Sequence, residues 1–70
     1  MNPIRRQLLE LLAELSEEEN DLRFGQLIAN LATLAGGARV EAIWETEDDE
    51  LAKAASRLLA HYRQPKASVA

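Results

Sequence analysis

The chain contains no cysteine, which excludes a disulfide framework and a thiolate zinc site. No uncharged run approaches the roughly 20 residues that a helix needs to cross a bilayer. The opening MNPIRRQLLELLAEL is partly apolar, but charges interrupt it and no small-residue cleavage site follows, so it does not read as a secretory signal. These absences lead to the expectation of a soluble, cytoplasmic protein that does not engage a membrane. Bases are missing where acids are densest. Glu17 to Asp21 (EEEND) holds four acids in five positions and Glu45 to Glu50 (ETEDDE) holds five in six, with no Lys or Arg in either. With a net charge of −4 the chain repels phosphate at long range, which counts against nucleic acid as a partner.

What is present fits one folded domain. The chain has 70 residues, of which 47% are hydrophobic. A domain this small buries only about 60% of the surface its unfolded form exposes. Without disulfides or metal it must rely on dense helix packing or on oligomerisation.

Apolar spacing predicts helices. The first is expected to start at Pro3 with Asn2 as its cap, since Asn accepts from a free backbone N–H and proline's fixed φ suits the first position. Ile4, Leu8, Leu11, Leu12 and Leu15 draw one stripe, with Leu9 outside it. Arg6 and Glu10 are placed to pair. Glu17 to Glu19 meet the negative end of the helix dipole, so fraying is expected there, followed by a turn at Asn20 and Asp21.

A second helix is expected from Arg23 to Ala35, stopping at Gly36 and Gly37. Its surface divides into three stripes. Phe24, Leu27, Ile28, Leu31 and Ala35 are apolar, with Leu34 at their margin. Arg23, Gln26, Asn30 and Thr33 are polar. Gly25, Ala29 and Ala32 are very small, and Gly25 inside a helix suggests close approach of another backbone. Residues 38–45 are ambiguous: Val40, Ala42 and Trp44 alternate like a strand, while Val40, Ile43 and Trp44 fit a helical turn. A lone strand has nothing to pair with, so the expectation is a loop with at most one helical turn, pinned to the core by Ile43 and Trp44. The third helix is expected to open at Thr46 with Asp49 approximating a capping box. Its stripe is Leu51, Ala55, Leu58, Leu59 and Tyr62, Asp49 is placed to pair with Lys53, and Arg63 sits near its end. Gln64-Pro65 ends it, giving one domain over 1–65 and a frayed tail over 66–70.

A search for chemistry finds little. His61 is the only histidine and reads as a surface residue, and no serine has a plausible base partner. No glycine loop that would cradle a phosphate is present. The run from Glu45 to Glu50 has oxygens enough for calcium but lacks the alternating ligands and central glycine of an EF-hand loop. The expectation is no catalysis, no metal and no cofactor. The row Arg23, Gln26, Asn30 and Thr33 admits three readings: a solvent or interhelix face, a protein-binding face, or a helix-turn-helix reading face in the major groove. Against the last, the turn just before the helix is acidic, where a DNA-binding helix is flanked by bases.

Two stretches, DLRFGQLIANL and WETEDDEL, together resemble a pattern in small uncharacterised bacterial and phage helical proteins, a domain of unknown function. There an R-x-G-Q-x-I-x-N-L segment precedes an aromatic residue and an acidic D-x-L helix start. The match covers Asp21 to Leu31 and Trp44 to Leu51, with a longer, glycine-containing connection before Trp44 in this chain. The resemblance implies that Arg23, Gln26 and Asn30 form the signature polar face, with Asp48 and Asp49 as its acidic companions. It also suggests that Arg23 bonds Asp48 or Asp49, while Gln26 or Asn30 satisfies loop backbone near Trp44.

The expected fold is all-α, a small three-helix bundle, as a monomer or a dimer. Three short helices leave Leu9, Leu12 and Leu34 hard to cover. The leading functional expectation is therefore a non-catalytic module that binds a protein, itself or another. It would use the leucine-rich first helix, the Gly25–Ala29–Ala32 stripe, or both. The alternative is a DNA-binding regulatory protein using the helix over 23–35.

Overall fold

The computed structural model describes residues 1–64 and is all-α, with no strand among them. Helix α1 spans Pro3–Glu18, α2 Phe24–Gly36, α3 Ala42–Glu45 and α4 Asp48–Tyr62. Three helices are long and α3 is a single turn, so the bundle has the expected three rods plus a short connector. The expected tail over 66–70 and the Pro65 stop lie outside the described residues. No helix among those described is long and apolar enough to cross a membrane.

The helix starts and stops follow local chemistry. Asn2 Oδ1 accepts the Arg5 N–H at 2.7 Å, and Pro3 holds the first helical position. At α2 the side chain of Gln26 accepts the N–H of the cap residue Arg23 at 2.9 Å. This is one half of a capping box; a guanidinium has no acceptor to supply the other. Gly37, at φ +94, ends α2 in a conformation that side chains disfavour, and its N–H donates to the Thr33 carbonyl at 2.9 Å.

Thr46 does not open the last helix. Glu47 is the cap residue of α4, and its side chain makes no capping bond. The Thr46 N–H donates instead to the Ala42 carbonyl at 3.2 Å, which ties Thr46 to the end of α3. The acids Asp48, Asp49 and Glu50 fill the first turn of α4, where the dipole favours them.

Helix α4 is the centre of the bundle, packed against both α1 and α2. Ala52, Ala54 and Ala55 are buried along it with Leu59, and these small side chains let both neighbours approach closely. Leu8, Leu12 and Leu15 of α1 and Leu27 and Leu31 of α2 complete the core, with Leu15 and Leu31 the most deeply enclosed. Leu12 is thus covered, while Leu9 and Leu34 stay exposed, as do Ile4 and Phe24 near the helix ends. No polar or charged residue is buried among the described residues.

Helices α1 and α4 run parallel, clamped at both ends. Near their starts Asp48 Oδ2 takes two contacts from Arg5, from Nε and Nη2, each at 2.8 Å. Near their finishes Arg63 reaches Glu14 at 2.8 Å and Glu18 at 3.2 Å, while the Tyr62 hydroxyl donates to Glu19. These contacts explain why α1 continues to Glu18 instead of fraying at Glu17: Glu14, Glu18 and Glu19 are held by Tyr62 and Arg63 at the end of α4. The pairings expected within single helices are replaced. Arg6 has no ion pair with Glu10, and Lys53 reaches Glu50 at 3.6 Å instead of Asp49.

Candidate functional site

The expected polar row is real but does not meet its acidic companions. Arg23, Gln26, Asn30 and Thr33 all lie exposed on one side of α2. Asn30 and Thr33 line a shallow groove with Leu34, Leu58 and Tyr62. A second groove nearby sets Leu34 against Ala54 and Leu58. Asn30 beside Tyr62 and Leu34 beside Ala54 define the direction of α2, which is antiparallel to α4. Arg23 therefore stands at the end of the bundle where α4 finishes, far from Asp48 and Asp49 where α4 begins. The expected bond from Arg23 to either carboxylate is not made. Asp48 is held by Arg5, and the Gln26 carboxamide serves its own helix cap, not the backbone near Trp44.

The small-residue stripe also moves. A methyl group at Gly25 would meet nothing within 4 Å, so no backbone approaches it. Ala29 is half-buried and Ala32 buried. The close approach occurs at Gly36, where an added Cβ would collide with Thr46 Oγ1 and lie 3.2 Å from Ala42 Cβ. Gly36 is the seat on which α3 rests.

That seat decides which way α3 faces. Ala42 is fully buried, so it pins the segment, in place of the expected Ile43 and Trp44. Hydrogen bonds from the Ala42 N–H to the Arg39 carbonyl (3.1 Å) and from the Glu45 N–H to the Glu41 carbonyl (2.9 Å) make the segment helical. With that winding, Val40, Ile43 and Trp44 share a face at helical spacing, turned away from Ala42. Val40 is 73% exposed, Ile43 49% and Trp44 69%. The sequence carried this signal in the same i, i+3, i+4 spacing, but the direction of that face depended on where the small residues Gly36 and Ala42 would meet.

Charged residues lie close by in the chain, and Glu47 and Asp49 border Asn2 and Ile4 at the start of α1. Glu41 and Glu45 share Arg39, at 4.0 and 3.1 Å, on side chains about half exposed. Such exposed pairs contribute little, about 0–1 kcal/mol. Glu47 and Asp49 make no ion pair among the described residues and are exposed. No protein-family model, curated protein or solved structure matches the chain.

Little chemistry is assembled elsewhere. His61 is exposed and touches Tyr62 edge-on, the rings 6.0 Å apart. The hydrogen bond to Glu19 holds the Tyr62 hydroxyl above its ordinary pKa of 10.0, with burial and the carboxylate charge acting the same way. Carboxylates of Glu14 and Glu18 likewise raise Arg63. Among the described residues no three His, Cys, Asp or Glu side chains converge as metal ligands.

Proposed function

We propose that this protein is a non-catalytic helical interaction module that docks another protein through the outward face of α3. The observation carrying the reading is the exposure of Val40, Ile43 and Trp44, three large apolar side chains within five residues of chain, which the i, i+3, i+4 spacing sets toward one side. Scattered exposed leucines are ordinary, but a contiguous apolar face is the signature of an interaction surface. Tryptophan is also among the residues that most often carry binding energy at interfaces. Self-association is the second form of the same reading, supported by exposed Leu9 and Leu34. Kinship with the small bacterial and phage helical proteins rests on Arg23, Gly25, Gln26, Asn30 and the acidic run.

The test is affinity capture from the native host with the wild type and with Trp44→Ala. A partner retained by the wild type and lost by the variant supports the docking face; identical captures from both remove it. Light scattering at micromolar concentration separates the self-associating form, which a strictly single-chain mass excludes. The exposed row Arg23, Gln26, Asn30 and Thr33 favours one alternative, a DNA-reading α2. A low-salt gel shift supports that alternative if DNA binds and dismisses it if none does.

A further inference from the structure

We infer that a second copy of this chain packs on the outer ridge of α4, antiparallel to it and about a two-fold axis at Lys53. This surface is distinct from the α3 face, and the inference goes beyond the docking reading. The ridge carries Asp49, Glu50, Lys53, Ser56, Arg57 and Ala60, all exposed, at spacings that put them on one side of the helix. Its two acids come first and its two bases after them, so the ridge is neutral in a chain of net −4. Acids in a first turn answer the helix dipole, but Lys53 and Arg57 lie in the middle turns, which the dipole does not reach.

Lys53 reaches Glu50 at 3.6 Å, but Asp49 and Arg57 make no ion pair among the described residues. Both line the groove between α1 and α4, which is floored by Ile4 and Ala52. Eight residues of helix set them about 12 Å apart along the axis, too far to meet each other. A second α4 laid antiparallel, with Lys53 level with Lys53, brings Arg57 of each copy opposite Asp49 of the other. Glu50 of each then lies opposite Ser56 of the other, and both Glu50 carboxylates flank the two lysines at the axis. A uniformly cationic or anionic partner satisfies half of this ridge and is repelled by the rest, whereas the same ridge reversed satisfies both halves. A parallel pairing sets acid on acid and base on base, so charge also fixes the direction. Ser56 and Ala60 are small and let the two helices come close. The contact is isologous: each acid–base pair occurs twice.

The test is sedimentation equilibrium of the full chain from about 10 to about 500 µM, the range suited to a small, charged interface. The wild type should double its mass reversibly, and less so as salt rises. Asp49→Arg and Arg57→Asp each set like charges at both contacts, and each alone should weaken association about tenfold or more. Mixed in equal amounts, the two variants should pair with each other, because each contact then joins one acid and one base. The double swap in a single chain should associate like the wild type for the same reason. Trp44→Ala should leave the doubling unchanged. The substituted positions are exposed, and far-UV circular dichroism checks that the variants keep their helices.

A single-chain mass for the wild type throughout that range overturns the inference. So do single variants that associate as well as the wild type, or a mixture of the two that stays at single-chain mass. A doubling that Trp44→Ala abolishes also overturns it, since the second copy then sits on the α3 face. The first three failures leave the docking of another protein on α3 standing, which host capture with Trp44→Ala tests by itself.

Discussion

Replacing Gly36 with alanine would set a methyl group into the contact on which α3 sits. The new Cβ would collide with Thr46 Oγ1 and lie 3.2 Å from Ala42 Cβ, and Ala42 is itself fully buried. The threonine oxygen is on a short β-branched side chain with restricted χ1, so relief by rotation is limited. Overpacking of this kind costs about 1–3 kcal/mol. Alanine in place of a helical glycine returns about 0.5–1 kcal/mol, so the net loss should be about 1–2 kcal/mol. For a domain of this size that lowers the melting temperature by roughly 5–15 °C. Gly25 is the control, because its Cβ would meet nothing within 4 Å. Gly25→Ala should stabilise by about 0.5 kcal/mol, raising the melting temperature by roughly 2–4 °C. Thermal melts followed by circular dichroism decide the matter. A Gly36→Ala variant melting at or above the wild type, or a Gly25→Ala variant falling as far as Gly36→Ala, would refute the placement of α3.

Three further outcomes follow from the packing. Leu31→Ala removes one of the most enclosed side chains and should cost about 2–5 kcal/mol, enough for urea denaturation to find little folded protein. A double-mutant cycle on Arg5 and Asp48 should give a coupling of about 0.2–1 kcal/mol, as for an exposed pair, whereas Arg23 and Asp49 should show none; the reverse order would contradict the parallel α1–α4 register. Tyr62 is the only tyrosine, so ultraviolet titration reads it alone, and its midpoint should lie above 10.0 in the folded protein and fall in Glu19→Ala. Because the folded pKa is raised, the stability from this bond is complete below the unfolded value and is lost as pH rises through the folded one. A folded-state midpoint at or below that of the denatured chain would exclude the Tyr62–Glu19 bond.

The helices were legible in the sequence wherever a local rule acts alone. Asn2-Pro3 starts α1 and Gly36-Gly37 stops α2 because capping depends only on neighbours along the chain. The leucine stripes identified Leu8, Leu12, Leu15, Leu27 and Leu31 as core for the same reason. Contacts between helices were less legible. The proposed bond between Arg23 and Asp49 joined two helix starts, which the antiparallel course of α2 sends to opposite ends. Gly25 drew attention as the glycine inside a helix, while Gly36, read as a stop signal, is the one a neighbour crowds. Thr46 resembled a cap but closes α3 one turn earlier. Trp44 looked like an anchor because large aromatic residues are usually covered. Here the small Ala42 fills the inward position and turns the tryptophan out.

The measurement that tests the outward α3 face most directly is the fluorescence of Trp44 in the folded protein, at a dilution where light scattering gives a single-chain mass. Emission should stay close to that of the chain unfolded in urea, and acrylamide should quench it nearly as well as it quenches the unfolded form. A strongly blue-shifted Trp44 protected from acrylamide in the folded single chain would put it in the core and contradict the account.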